Sequence, residues 1–394
     1  MVYKTQQLRV ALVTNMVAPY RVSFYNALAD KCDLIVITDV ETEFNRKWRL
    51  DSSKFLFKHL VLDSFSLVIP RIRKDLGYRE HRQMHFSERL FGSLIKLRPD
   101  LIVSNELGLR SLWCLLYSKI FRCPWVLASE ATNHTEGWVG FGKRLLRSFL
   151  ISQADGYWSN GRETTKFLTD RGAILDHITS DMTGIATDEF YIQSKQAYLD
   201  RERIRRELGL SGIVFLFAGR IESGKGISQL MEAIKQRQKD LESRCSFLFV
   251  GSGAMLEYAK EQAKSLNIQF HFQGFVQPDE LPKYFSLGDV FIMPTLDDNW
   301  PLVNLEALAA GLPQLYSIYN GGMLDLNHMV GIGNAIDPND VALLGERLVG
   351  CVVDSIERIE PERSLSVLQH YSPESQARRA LESFRKAIVS NVSE

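Results

Sequence analysis

With 394 residues the chain exceeds the roughly 250 to 300 at which one hydrophobic core stops growing, so two domains of ordinary size are expected. Its 47 basic and 47 acidic residues cancel, and 45% hydrophobic with 24% charged residues is an ordinary globular composition, which does not point to nucleic acid as the main partner. The five cysteines, at 32, 114, 123, 245 and 351, are scattered, odd in number and without a C-x-x-C pair, which excludes a disulfide framework and a cysteine zinc site and suits a reducing, cytoplasmic setting.

No apolar run reaches the roughly 18 to 20 residues of a membrane span, and "LRVALVTNMVAP" is too short and too polar for a secretory segment. It reads as a first strand. In chain order "RVALVTN" (9–15), "DLIVITD" (33–39), "DLIVSN" (100–105) and "PWVLASE" (124–130) are strand-like, with helix-like stretches such as "RVSFYNALAD" and "FSERLFGSLIKL" between them. A charged, connecting stretch, "QAYLDRERIRRELGLSG", precedes a second alternation: "IVFLFAG" (213–219), "CSFLFVG" (245–251), "IQFHFQG" (268–274) and "DVFIMP" (289–294). The pattern predicts an α/β chain of two doubly wound, Rossmann-like halves. The boundary is expected at 190, giving domains 1–190 and 191–371. The tail 372–394 is read as a last helix, with Ser372 as N-cap and Pro373 at its first position, packed back on the first domain.

Ligands of open α/β sheets sit beyond the carboxyl ends of the strands. After "IVFLFAG", Arg220 and Lys225 flank a glycine-containing turn, a pattern suited to a phosphate or diphosphate, or to a solvated basic turn. After "CSFLFV", Gly251 and Gly253 allow a close backbone approach to a ligand or simply a tight turn. "TLDDNWPLVNLEALAAGLP" predicts a helix starting at Pro301 and stopped by Gly311 and Pro313. Asp298 then lies in the loop before it and Glu306 in its second turn. Glu306 is the single ionisable group between the two prolines, and a buried carboxylate must meet a partner or a ligand.

"FAGRIESGKGISQLMEAI", "FVGSGAMLEYAKEQAKSLNIQFHFQGFVQPDELPKYFSLGDVFIMPT" and "DNWPLVNLEALAAGLP" together resemble the C-terminal half of a retaining GT-B glycosyltransferase of family 4. The similarity covers 183–345 well, and 9–30 and 124–165 more loosely. It implies two Rossmann-like domains facing across a cleft, and transfer of a sugar from a UDP- or GDP-linked donor to a glycan, lipid-linked or other acceptor without a cofactor or metal. By the resemblance, Arg220 and Lys225 hold the donor diphosphate and Glu306 accepts from the ribose hydroxyls. Asp298 stands where the family usually has Glu against a hydroxyl of the transferred sugar, which leaves the sugar open. Pro301 in place of a frequent Gly, and "NGGMLDL" (320–326) without Pro-Glu, are further departures.

The first half is then expected to carry the acceptor. "NMVAPYR" (15–21) resembles a Pro-Tyr-Arg variant of the family's first loop, whose Arg21 is a candidate for a phosphate or carboxylate. His134, in "ASEATNHTEGW", is a candidate for positioning reacting hydroxyls, and no second His accompanies it as a metal site would require. "PRIRKDLGYREHRQ" (70–83) and "FGKRLLRSFLIS" (141–152) are basic; the second carries Phe141, Leu145 and Phe149 at helical spacing, a face for an anionic membrane or for an ordinary core. A nucleotide-sugar epimerase of the same architecture and a non-catalytic scaffold are the alternatives to a transferase.

Overall fold

A computed structural model describes residues 7–74, 76–331, 333–354 and 356–393. By contacts the chain divides into two units, one of residues 7–70, 81–185 and 371–393 and one of 71–80 and 186–370. The division differs from a cut at 190 chiefly by assigning 71–80 to the second unit.

The first unit holds a seven-stranded parallel sheet. Its strands are β1 (Arg9–Thr14), β2 (Asp33–Thr38) and β3 (Lys58–Val61), while β4 (Ser66–Arg73) and β5 (Tyr78–His85) pair separately. β6 (Leu101–Asn105), β7 (Trp125–Ser129), β8 (Gly156–Ser159) and β9 (Ile178–Thr179) complete it in the order β3-β2-β1-β6-β7-β8-β9. Strand alternation splits the core between two faces. Val10, Leu12, Leu34 and Val36 meet Phe24 and Leu28 of α1 (Pro19–Ala29) and Phe384 of the C-terminal helix. Ala11, Val13, Ile35 and Ile37 share the other layer with Leu94 of α2 (Leu90–Leu97), Cys114 of α3 (Leu109–Phe121) and Ile151 of α5 (Phe141–Gln153). The short α4 (Asn133–Glu136) and α6 (Arg162–Thr169) flank α5 in sequence.

The C-terminal helix, Pro373–Ser393, begins as the sequence implies: Ser372 Oγ accepts from the Ser375 amide at 3.3 Å. Gly184 makes room for its start, since a Cβ there would lie 2.3 Å from the Tyr371 carbonyl oxygen.

The second unit holds a six-stranded parallel sheet of β10 (Ile213–Ala218), β11 (Cys245–Val250), β12 (Gln269–Gly274), β13 (Val290–Met293), β14 (Gln314–Ser317) and β15 (Gly333–Ile336), ordered β12-β11-β10-β13-β14-β15. Phenylalanines at alternate positions stack from strand to strand on one face. Phe215, Phe247 and Phe270 have centroid spacings of 5.0 and 5.2 Å, and Phe217, Phe249 and Phe272 spacings of 5.5 and 5.1 Å. Rows of this kind join neighbouring strands beyond their hydrogen bonds.

The stretch expected to be a connector is largely helical. Thr187–Tyr198 and Arg201–Glu207 form two helices. Arg205 donates to Asp289 Oδ2 at 2.6 Å, and that oxygen also accepts from the Val214 amide at 2.8 Å. Asp289, more than 80 residues downstream, gives the arginines a partner at the sheet that the local sequence does not reveal.

Candidate functional site

In the second sheet the strand order reverses between β10 and β13, the position at which an open α/β sheet leaves a crevice at its carboxyl ends. The loop after β10 carries Arg220 and enters a short 3-10 turn, Ser223–Lys225, before the helix Ile227–Gln236. Gly226, at φ +71°, lets this turn press against β13, since a Cβ would fall 1.8 Å from the Pro294 carbonyl oxygen. On its other side the loop abuts the one after β11. A Cβ on Gly251 would lie 1.8 Å from the Gly219 carbonyl oxygen, and one on Gly253 2.3 Å from that of Ile221. Gly251 and Gly253, read from sequence as ligand-approach or tight-turn positions, thus have a packing reason of their own.

Lys225 forms an ion pair with Asp298, so the structure brings together two of the residues singled out from sequence. Both side chains are largely buried, with 14% and 18% exposure, and the pair is correspondingly little screened by solvent. Arg220 is half-buried, and among the described residues its guanidinium has no hydrogen-bond or ion-pair partner. An unpaired cation in a loop that leads into a helix N-terminus is suited to an anion.

The preceding Asp297 has a different part. Its Oδ2 accepts from Arg71 at 2.8 Å and from the Tyr78 hydroxyl at 2.9 Å, and it is also bonded to Arg73. Arg71 reaches Glu80 as well, at 2.7 Å. Burial, followed by the Asp297 charge, pushes the Tyr78 phenol well above its ordinary range. The Tyr78 ring lies against the turn that carries Lys225: a Cβ on Gly224 would be 3.1 Å from its Cζ. The basic stretch 70–83 therefore supplies two buried arginines to an acid more than 200 residues away.

The helix bearing Glu306 spans Val303–Ala309, two residues later than Pro301 implied, which puts Glu306 in its first turn. Pro301 and Leu302 lead in without a side-chain cap. Glu306 is half-buried, has no hydrogen-bond or ion-pair partner among the described residues, and burial pushes its carboxyl up to about 7. A structural ion pair does not account for it. Its helix is fixed instead by buried amides that sequence reasoning missed. Asn304 donates to Gln314 at 2.7 Å, Gln314 returns a bond to the Asn304 carbonyl at 3.0 Å, and Asn320 donates to Asn304 at 2.9 Å while capping the helix Gly321–Val330. Isolated polar letters in an apolar run were the available signal.

Among the described residues no three His, Cys, Asp or Glu side chains are grouped as a metal ion requires.

The first unit has its own strand reversal, between β1 and β6. There a cavity of about 210 Å³ is lined by Asn15, Tyr20, Arg21, Arg46, Glu130 and Trp158, among others. Arg21 donates to Glu130 at 3.0 Å and to the Met182 carbonyl at 3.1 Å, so the cavity's charge is partly neutralised within it. The buried indole N–H of Trp158 has no acceptor among the described residues. His134 is half-buried on α4, N-capped by Thr132, and does not line this cavity. Its neighbour Glu136 is paired with Arg147.

Residues 200–358 match the model of the family described as glycosyl transferases group 1. The chain is 32% identical over 160 residues to an uncharacterized glycosyltransferase of Methanocaldococcus jannaschii, covering 39% of this chain and 40% of that protein. It is 26% identical over 163 residues to the mannosylfructose-phosphate synthase of Agrobacterium fabrum, covering 39% and 35%. Over 201 residues it is 30% identical to a D-inositol 3-phosphate glycosyltransferase of Corynebacterium urealyticum, covering 48% and 45%. The chain thus spans less than half the length of these curated relatives. Solved structures match nearly throughout: Anabaena HepE in complex with UDP and glucose has a TM-score of 0.71 at 16% identity, with 96% of this chain and 99% of that one covered. A glycosyltransferase from Rickettsia africae gives 0.73 at 13%, with 97% and 99% covered. The fold is GT-B.

Proposed function

We propose that this chain is a retaining glycosyltransferase of family 4, moving a hexosyl group from a UDP- or GDP-linked donor to an acceptor hydroxyl without a metal ion, in a cytoplasmic setting. The observation that carries the reading is the set of charges at the second sheet's strand reversal: Arg220 and Glu306, whose side chains have no partner among the described residues, beside the Lys225–Asp298 pair. The donor matches each of them. Its diphosphate takes Arg220 and draws on Lys225, the ribose hydroxyls donate to Glu306, and a sugar hydroxyl donates to Asp298 as Lys225 turns to phosphate. When the bond from the anomeric carbon to the diphosphate oxygen breaks, the electron pair stays on that oxygen, where two cations and the helix N-terminus stabilise it. Retention is read as same-face attack with no protein nucleophile: the acceptor hydroxyl forms the new bond to the anomeric carbon and gives its proton to the departing diphosphate oxygen.

The acceptor is assigned to the cavity of the first unit, whose Arg21–Glu130 pair and Trp158 N–H present both donors and acceptors to a hydroxylated ring. His134 is kept as a positioning candidate outside it. Epimerase and scaffold readings gain nothing from relatives whose names are those of transferases and a synthase. The direct test incubates the protein with candidate nucleotide-sugars and acceptors in EDTA and follows the anomeric signal by NMR. The expected product keeps the donor's anomeric configuration; activity that only a divalent ion restores, or an inverted anomer, contradicts the reading.

The two acids are expected to separate. Ribose hydroxyls donate to the ionised form of Glu306, so nucleotide affinity rises as pH climbs through about 7 and levels off above it. Glu306→Gln flattens that profile and weakens the free nucleoside diphosphate by roughly ten- to a hundredfold, the worth of a hydrogen bond to a charged group. Stability has the opposite slope. A carboxyl raised from 4.5 to about 7 binds protons more tightly in the folded chain, so its contribution is full below the lower value and lost as pH rises through the upper. The unliganded Gln variant therefore melts higher than wild type above pH about 8, and the gain vanishes on acidification. Asp298→Asn releases Lys225 from its partner, so the nucleoside diphosphate binds as well or better while transfer slows. Calorimetry beside kinetics distinguishes the two; equal loss of nucleotide in both variants would end this division of roles.

A further inference from the structure

We propose that the outer face of α2, α3 and α5 is a docking surface for an anionic lipid bilayer. The inference goes beyond the transfer reading and rests on the first unit alone. In a chain whose charges cancel, these three helices contain not one Asp or Glu; Arg110 is buried against Asp39 and Arg147 is paired with Glu136, which leaves Lys96, Lys119, Lys143 and Arg144 as the exposed cations of the outer face. They cover the same face of the sheet, with α3 packed against both α2 and α5.

Their outer surface is apolar where a solvated helix is expected to be polar. Phe141, Leu145 and Phe149 of α5 are 77%, 56% and 51% exposed, and their i, i+4, i+8 spacing makes one stripe. The core takes a different set from the same helix, Leu150 and Ile151. On α3, Leu116, Ile120 and Phe121 are exposed in the same way, while Cys114 and Leu115 are buried. Lys119, Arg122, Lys143 and Arg144 stand exposed among these side chains.

Large apolar side chains interleaved with cations, and no acids, are the composition of an interfacial helix that sinks its apolar stripe into the acyl boundary while its cations meet lipid phosphates. A protein partner fits less well, because the centres of protein interfaces are depleted in Lys and in uncompensated charge. The bilayer matches both components at once: phosphates for the cations, acyl chains for the phenylalanines.

The experiment is co-sedimentation of the full chain with vesicles of phosphatidylcholine alone and of phosphatidylcholine mixed with phosphatidylglycerol, across a salt series. Binding is expected to the anionic vesicles only and to weaken with salt. Phe141→Ser with Phe149→Ser should lower the partition coefficient by about tenfold or more, and Lys119→Gln with Lys143→Gln by about fivefold for each cation removed. All four positions are exposed, and circular dichroism melts confirm that the variants fold as wild type does. No partition into anionic vesicles overturns the proposal, as does partition that both double variants leave unchanged. Self-association without lipid binding, abolished by the phenylalanine changes, would assign the face to a second copy instead and equally overturn it.

Discussion

Arg220→Ala is expected to lower kcat for glycosyl transfer by roughly a hundred- to a thousandfold, the usual cost of removing one preorganised donor from a developing oxyanion. The reason lies in what the guanidinium does before substrate arrives: among the described residues it has no partner, so nothing in the fold is lost with it. Melting should therefore stay within about 0.5 kcal/mol of wild type, as at surface positions without special contacts. Affinity for the free nucleoside diphosphate should fall too, because the diphosphate belongs to product and transition state alike. Arg220→Lys should recover only part of the rate, since a point charge does not reproduce a planar fork of donors. Lys225→Ala is a less clean probe, because it also strands Asp298 without its cation. Steady-state kinetics with a matched donor, beside calorimetry with the nucleotide, read both quantities. An Arg220→Ala enzyme with unchanged kcat and unchanged nucleotide affinity would remove the anion site from the β10 loop.

The parts of this molecule that depend on local pattern were legible in its residues. Apolar runs such as "RVALVT" and "IVFLFA" became central parallel strands because both their faces are buried, and strand order then placed the loops bearing Arg220 and Asp298 at one strand reversal. Ser372 and Pro373 began a helix because a cap and a fixed φ act within a few residues. What was not legible is carried by partners far apart in sequence. The stretch 196–212 reads as a charged connector, and the anchor of Arg201 and Arg205 is Asp289, more than 80 residues away. Gly251 and Gly253 are compatible in sequence with a ligand approach or a tight turn, and the carbonyls they accommodate, which belong to the loop after another strand, are not legible there. The helix at Glu306 was placed a half-turn early because Pro301 is compatible with a first helical position without requiring one.

The largest stability effect expected is at Asp297. This carboxylate is 2% exposed and stands on two arginines, Arg71 and Arg73, with the Tyr78 hydroxyl as a third donor. Removing one member of a buried ion cluster leaves charge that water cannot reach, which typically costs about 3 to 5 kcal/mol. Arg73→Ala should sit at the lower end, because Arg71 remains, and for a unit of this size about 3 kcal/mol lowers Tm by roughly 6 to 12 °C. Tyr78→Phe keeps the ring against Gly224 and loses only the hydroxyl bond, so its cost should be nearer about 1 kcal/mol. The two variants also differ in what they do to the site. Asp298 follows Asp297 directly, so loosening the anchor lets the Lys225–Asp298 pair shift against the turn that carries Arg220. Arg73→Ala should consequently reduce kcat even at temperatures where it is fully folded, and Tyr78→Phe much less. Thermal melts and kinetics on both variants decide the matter. If Arg73→Ala melted with wild type, Asp297 would not need its arginine, and the 71–80 segment would have no part in holding the loop that carries Asp298.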